Sequence, residues 1–409
     1  MESLFGALDR HRQQLIDNVP LNLRDQAAAI GRAASYDLVA TVDAAHAFET
    51  KKDVEMGNLP WVLYLYWVYY RCQMDDTILR DRVLPLLRLT IGHYLAFVQK
   101  DDQGHWHLPP TYSPEFATAP DCSYDLALLK WGLETLIESS EHLHINDPLL
   151  PHWRDVLANL TPFPTDASGL MIGSGMPLHE SHRHYSHLLA IYPLHLLDPD
   201  QPEDRTLIQT SFQNWVSTPE KFKGFSYTGA ASINALLGNG DAALDDLNKL
   251  LDTFIKPNTL YAESGPCIET PLSAASSLQE MLLQSWGGTI RVFPAIPKAW
   301  NDVSFYDLRA EGAFLVSAVR SGGKTVWIRI ESLAGEPCHI RIPDWKDAVV
   351  CASTGAEPHL TKDGPGNFTL ELVKGASVVL SETATSSLPP LAPVVTPEDG
   401  RNPYPMRYR

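Results

Sequence analysis

The chain is short of cations, poor in cysteine and without a long apolar run. Its 32 Lys and Arg stand against 49 Asp and Glu, a formal net charge of −17 at pH 7. A surface of that sign repels polyanions, which argues against nucleic acid or an anionic membrane as partner and leaves a neutral ligand easier to accommodate. Five cysteines, at 72, 122, 267, 338 and 351, are an odd number with no CxxC pair. Neither a zinc site nor a disulfide framework is indicated, and buried thiols are expected. No stretch approaches the ~20 apolar residues of a transmembrane helix. The N-terminus, Met1-Glu-Ser-Leu-Phe-Gly-Ala-Leu, has no basic start leading into an apolar core, so it does not read as a secretion signal; a cytoplasmic protein or a chain without its original start is expected. A Gly-rich phosphate loop, G-x-S-x-G and a Cys–His motif are all missing, so no cofactor is expected and other catalytic classes lose support.

What the sequence does have is material for a large core. Of its 409 residues 44% are hydrophobic, with 10 Trp and 15 Tyr, which suits an ordinary globular protein of two domains. Apolar residues recur at helical spacing over residues 1–45, with Leu4, Phe5, Leu8 and Leu15 on one face. Residues 46–60 read as a loop. Helices are then expected over Trp61–Tyr70, Asp75–Val98, Tyr124–Ser139, Leu149–Leu160, Ser186–Leu197, Arg205–Val216, Gly229–Leu237, Ala242–Phe254 and Ser273–Gln284. Helices joined by Pro- and Gly-rich loops, without alternating strands, point to an all-α toroid or solenoid.

Near Val303 the period changes to two. Phe314–Arg320, Val326–Ile330, Cys338–Ile342 and Phe368–Leu372 read as short strands, with Ser321-Gly-Gly-Lys324 as a hairpin turn. The expected organisation is mainly α: a toroid over 1–300, a small β-sandwich over 301–382, and a Pro-rich extended tail over 383–409.

Three polar, aromatic-rich segments carry the candidate chemistry. The first is Leu108-Pro-Pro-Thr-Tyr-Ser-Pro-Glu115, with Asp121 and Asp125 after it. Its prolines fix φ and remove backbone donors, so it can present the Glu115 carboxylate from a stiff backbone; equally, Pro114 and Glu115 could open a helix. The second is Glu180-Ser-His-Arg-His-Tyr-Ser-His187, and the third Tyr261 to Glu269. Loops of a toroid gather at one end, so carboxylates from the first and third could face one pocket, as glycosidic bond hydrolysis requires. Glu269, before Thr270-Pro271, could also simply start a helix. The histidines at 182, 184 and 187 do not have the spacing of a zinc signature and are read as donors to hydroxyls or as groups that orient a carboxylate, with no metal expected.

On these same residues the sequence resembles glycoside hydrolase family 95, the α-L-fucosidase and α-L-galactosidase family. Ser113-Pro-Glu115 is similar to its SPE motif, Ser123-Tyr-Asp125-Leu to its TMD segment, and His182-Arg-His-Tyr-Ser-His187-Leu-Leu with Ile191-Tyr-Pro193 to its HRHxSHLLxLYP. Glu280-Met-Leu-Leu-Gln-Ser285 through Phe293-Pro-Ala-Ile-Pro297 is similar to its EMLLQS block. The resemblance implies an (α/α)6 barrel followed by a β-domain, and an inverting mechanism on an oligosaccharide or polysaccharide side chain. It makes Glu115 the general acid and aligns Glu269 with the base aspartate. Asp125, His182, Arg183, His184, His187 and Trp286 are then expected at the sugar. Three departures stand out. Ile268-Glu269-Thr-Pro replaces the family's IDGNFG, Gly224-Phe-Ser-Tyr227 replaces Gly-Trp-Ser-Arg, and the N-x-N-x-Q motif is expected upstream of residue 1. A catalytically impaired carbohydrate-binding homologue and a polysaccharide lyase-like enzyme on a similar toroid are the alternatives.

Overall fold

A computed structural model of the chain describes residues 2–30, 56–256, 260–263, 267–355, 358–384 and 390. It divides into two compact units, Met1–Tyr70 with Asp75–Lys221, and Arg71–Met74 with Phe222–Arg409.

The first unit is helical. Helices α1 (Glu2–Arg10) and α2 (Arg12–Asp17) bury Phe5, Leu8 and Leu15, as their spacing predicts. The aromatic run forms α3 (Asn58–Gln73), where Tyr66 stacks on Phe5 with ring centroids 4.3 Å apart. A π-turn at Leu79–Val83 leads into α4 (Leu84–Leu95), which packs on α5 (Ser123–His142). Gly132 permits that packing, because a Cβ there would lie 2.2 Å from Ile91 Cδ1. Helix α5 is apolar on most of its circumference, and Leu126, Leu128, Leu129, Leu133 and Leu136 are all buried; a helix of this kind belongs to a core, not a surface. Two further helices are α6 (Leu150–Ala158) and α7 (Pro202–Val216), and the helix reading over 31–45 and loop reading over 46–55 lie outside the described residues.

One expected helix is not there. Over Ser186–Leu197 the chain forms only a 3-10 turn at Ser186–Leu188 followed by further turns. Pro193 has no N–H with which to continue a helix, and His195 has φ +49°. Apolar residues at near-helical spacing here line irregular backbone. Between α4 and α5 the chain also makes a hairpin, β1 (Thr111–Tyr112) against β2 (Thr118–Ala119).

The second unit begins with α8 (Gly224–Leu236), α9 (Gly240–Phe254) and α10 (Glu269–Leu282). Small residues on α8 let α10 approach closely enough for Ser232 and Ser277 hydroxyls to meet at 2.9 Å, both buried. The expected helix through Gln284 instead ends at Leu282. Strand β3 (Leu283–Trp286) follows, and Gly287 and Gly288, with φ of +58° and +72°, turn it back into β4 (Thr289–Val292). Glycine adopts that left-handed region without a Cβ clash, so the pair makes a hairpin directly after the shortened helix. Strands therefore begin ahead of the expected boundary at 301.

The remaining strands are β5 (Val303–Ala310), β6 (Phe314–Ser321), β7 (Lys324–Ser332), β8 (Cys338–Arg341), β9 (Val349–Thr354), β10 (His359–Gly364), β11 (Asn367–Glu371) and β12 (Ser377–Ser381). One sheet runs β9-β12-β7-β6-β5 and the other β10-β11-β8-β4-β3. Val316, Ile328, Ile330 and Val378 from the first and Ile290, Val292, Ile340 and Phe368 from the second form one buried core, which makes the pair a sandwich. The chain is thus mainly α, then β, in the order a toroid followed by a β-sandwich demands. The Pro-rich tail lies almost entirely outside the described residues.

Within this unit Arg71 Nε meets Glu311 at 3.2 Å in the wall of a small pocket with Ser285 and Glu336. Glu280 of α10 has its carboxyl pushed up to about 8, by enclosure away from water and then by the Glu311 charge. Glu280 therefore keeps a proton in the folded state that it loses when unfolded. Since the native state binds more protons, stability falls as pH rises from the ordinary glutamate range towards 8. A Glu280→Gln variant should abolish this slope: its melting temperature should match wild type near pH 4.5 and exceed it at pH 8, as calorimetry across the range would show.

Candidate active site

Glu115 stands at the tip of the β1–β2 hairpin. Ser113 N donates to Ala117 O (2.9 Å) and Phe116 N to Ser113 O (3.0 Å), so Ser113-Pro-Glu-Phe116 is a β-turn with Pro114 at its second position and Glu115 at its third. The helix-start alternative is overturned. Proline presets φ for the second position of such a turn, and Glu115 has φ +58°, a value this third position normally gives to glycine or asparagine. Holding an L side chain there costs about 1–2 kcal/mol. Strain of this kind persists only where surrounding contacts impose it.

Those contacts can be named. Asp125, in the first turn of α5, is completely buried and accepts hydrogen bonds from Tyr94 Oη (2.7 Å) and Thr111 Oγ1 (2.6 Å), which ties the β1 strand to α4 and α5. Expected at the sugar, Asp125 has no exposed surface here, and its carboxylate serves the hairpin. Buried Ser113 joins Ser186 hydroxyl to hydroxyl at 2.8 Å. Beyond the second strand, Asp121 Oδ1 accepts from Leu108 N (2.9 Å) and Oδ2 meets His107 Nδ1 (2.8 Å).

The His182-Arg-His184 segment meets the turn from the other side. Arg183 Nη2 donates to Glu115 Oε2 at 2.5 Å, and His184 Nε2 lies 2.8 Å from the same oxygen. His182 Nδ1 accepts from the His184 backbone N–H (3.0 Å), so its proton sits on Nε2, which donates to the Glu115 carbonyl (2.7 Å). This bonding fixes a neutral His182, and burial also holds its imidazole below the usual range. Partial burial by itself raises the Glu115 carboxyl. The charges of His184 and Arg183, with the hydrogen bonds from both, outweigh it and hold Glu115 below the usual carboxylate range. Burial also keeps His184 below the usual imidazole range, so once that ring is neutral Arg183 is the lasting cation.

His184 Nε2 has a second neighbour, the Arg183 Nε–H at 3.0 Å. One in-plane nitrogen cannot accept from arginine and donate to the carboxylate together. With its proton, Nε2 serves Glu115; without it, Nε2 accepts from Arg183 or from a protonated Glu115. Glu115 and His184 therefore titrate as a coupled pair.

The other expected site residues fall elsewhere. His187 is 1% exposed, its nitrogens meet no hydrogen-bonding group among the described residues, and burial drives it down to about 3. It is a neutral ring in the wall behind the turn. Trp286, also expected at the sugar, lies in strand β3 of the sandwich, buried, with its Nε1–H donating to Gln284 Oε1 (3.1 Å) and the Arg291 guanidinium 3.4 Å over its ring. Glu269, in the second unit, is the exposed first residue of α10, beside the positive end of the helix. One site residue escaped the sequence reading: Phe116 stacks on the His182 ring with centroids 3.8 Å apart. The signal was present, since an aromatic directly after Pro-Glu in a turn has no helix face to fill.

The described chain is thus a helical unit followed by a β-sandwich, with a carboxylate held between Arg183 and His184 at a turn of the first unit. The particular family follows from the sequence. The profile described as Glycosyl hydrolase family 95 catalytic domain matches residues 14–282, and that of the family's C-terminal domain matches residues 284–380. The chain belongs to glycoside hydrolase family 95. No curated protein matches it. Among solved structures it is similar to one described as a kojibiose phosphorylase from the human microbiome, with TM-score 0.54 and 10% identity over 80% of this chain and 53% of that one. A Streptomyces avermitilis alpha-L-rhamnosidase complexed with L-rhamnose gives TM-score 0.43 and 12% identity over 79% of this chain and 32% of that one. The chain thus spans about half or less of the length of these structures.

Loss of the Asp125 acceptor would strand the Tyr94 and Thr111 hydroxyls in the core, at about 1–3 kcal/mol for each unsatisfied group. Asp125→Ala should therefore lower the unfolding free energy by about 2–4 kcal/mol in urea titration, with Asp125→Asn, which keeps one acceptor oxygen, losing less.

Proposed function

We propose that the chain is a glycoside hydrolase acting on α-L-fucosyl or related glycosides by an inverting acid/base mechanism. Glu115 is the general acid that protonates the glycosidic oxygen, and Glu269 is the carboxylate on the water side. The observation that carries the reading is the presentation of Glu115: a half-exposed carboxylate, held in a left-handed turn with Arg183 and His184 on one oxygen, inside the family's catalytic-domain match. Arg183 and His184 are polar and partly exposed, as groups that bind sugar hydroxyls must be.

An acid must carry its proton before the bond breaks. Glu115, held ionised by Arg183, does so when substrate hydroxyls draw the guanidinium away; its carboxyl pKa then rises and it takes a proton from solvent. That proton leaves with the departing alcohol, the attacking water gives up one of its own to the base, and solvent then reprotonates Glu115. Removing Arg183 has the same sign: an Arg183→Ala variant should show a higher Glu115 pKa, and the alkaline limb of its pH–rate profile should move to higher pH.

A second reading, a carbohydrate-binding homologue with impaired catalysis, is favoured by one observation: in the free protein Glu115 is the anion of an ion pair, the wrong protonation state for an acid. One pair of measurements separates them. If the enzyme reading holds, release of L-fucose from an α-L-fucosyl oligosaccharide, whose alcohol leaving group needs a proton, falls by about 10²–10⁴-fold in Glu115→Gln, while calorimetric binding of L-fucose is largely kept. Binding by wild type without turnover of this or any other glycoside would establish the second reading instead.

A further inference from the structure

We propose that Phe116 is a positioning residue: packed against the His182 and His187 rings, it holds the turn in the one conformation that delivers Glu115 to Arg183 and His184. The proposal rests on the reading that Glu115 is the working carboxylate. It adds a residue to which no role attaches in the motifs above.

The geometry is that of a three-ring stack. Phe116 lies nearly parallel to His182, at 3.8 Å and 29°, and edge-on to His187, at 5.5 Å and 81°. His187 is buried and neutral, so it offers the phenyl ring an apolar wall that carries no charge at any working pH. The phenyl ring also stacks on His182, whose Nε2–H reaches the Glu115 carbonyl and whose Nδ1 receives the His184 N–H. The backbone N–H of Phe116 closes the turn on Ser113 O. A single aromatic residue thus connects the buried wall, the ring that grips the Glu115 backbone, and the turn itself.

That connection matters because the Glu115 side chain is 46% exposed and its φ is unfavourable, so its position depends on the contacts around the turn, and the Phe116–His182 stack backs the one made to its carbonyl. Without the phenyl ring His182 loses its stacking partner and can turn, the bond to the Glu115 carbonyl loosens, and the backbone is free to leave the left-handed region. The carboxylate then drifts from Arg183. A misplacement of about 1 Å at a reacting group is enough to reduce rate by about 100-fold.

The test reads the carboxyl directly, by carbon-13 NMR titration of labelled Glu115 in the full chain, alongside kcat and KM. In Phe116→Ala the Glu115 titration should move up towards the ordinary glutamate value by about 0.5 or more, with kcat reduced and KM little changed. Phe116→Tyr, which keeps the ring, should restore the wild-type titration, and His182→Ala should shift it in the same direction as Phe116→Ala. If Phe116→Ala fails to melt cooperatively, Phe116→Leu supplies similar bulk without a flat face and carries the same expectation. An unchanged Glu115 titration in a folded Ala or Leu variant would overturn the proposal. So would a rise in KM alone, which would make Phe116 a sugar contact. Because the titration needs no substrate, it decides the matter even if wild type hydrolyses no glycoside, an outcome that would count only against the hydrolase reading.

Discussion

Glu115 occupies a backbone position that sterics favour for glycine, and the candidate site is arranged around keeping it there. The Asp125 carboxylate anchors the hairpin from below through Thr111 and Tyr94. Ser186 secures its shoulder through Ser113, and His182 grips its carbonyl. Each contact has a modest value alone, of about 1 kcal/mol net for an ordinary hydrogen bond. Together they exceed the cost of the turn, which is why a strained glutamate can persist at a surface. The strain also limits the carboxylate to few orientations, and a reacting group benefits from that restriction more than from strong binding.

The electrostatics oppose the simplest account of an acid. A carboxyl meant to donate a proton is normally raised by burial, whereas Glu115 is lowered by the cations beside it. Under the proposed acid role, the resolution lies in partners that can exchange roles. Arg183 contacts both Glu115 and His184, and His184 Nε2 faces both Glu115 and Arg183, so a shift of the guanidinium alters which group holds the proton. An exposed ion pair is weakly bound and easily rearranged. A buried one would have fixed the carboxylate as an anion.

The sequence was legible where periodicity and motif agreed. The helices around Trp61–Tyr70, Tyr124–Ser139 and Ala242–Phe254 and the strands after Val303 showed their period because one or more faces are buried. The Glu115, Arg183 and His184 neighbourhood was readable as a constellation, since these residues sit in two dense polar segments. Orientation was not readable. Asp125 and Trp286 have the chemistry of sugar contacts, yet burial gives one to a hairpin and the other to a sheet. Ser186–Leu197 has helical spacing of apolar residues, but Pro193 and His195 dictate turns. The strands at 283–292 were hidden because a Gly-Gly pair signals a helix stop and a hairpin equally well. Phe116 went unnoticed since its partners lie far off in the chain.

That remoteness has a consequence for how the protein folds. Ser113 and Ser186 are 73 positions apart, and Glu115 and Arg183 are 68 apart, so no local segment contains the pocket. Contacts of such long range pay their loop-closure entropy before they are rewarded, and they tend to be made late. A nascent or partly refolded chain would have its helices well before its carboxylate found a partner. The Glu115–Arg183 contact therefore marks completion of folding, and titration of the Glu115 carboxyl would follow the last step of assembly where circular dichroism would follow only the first.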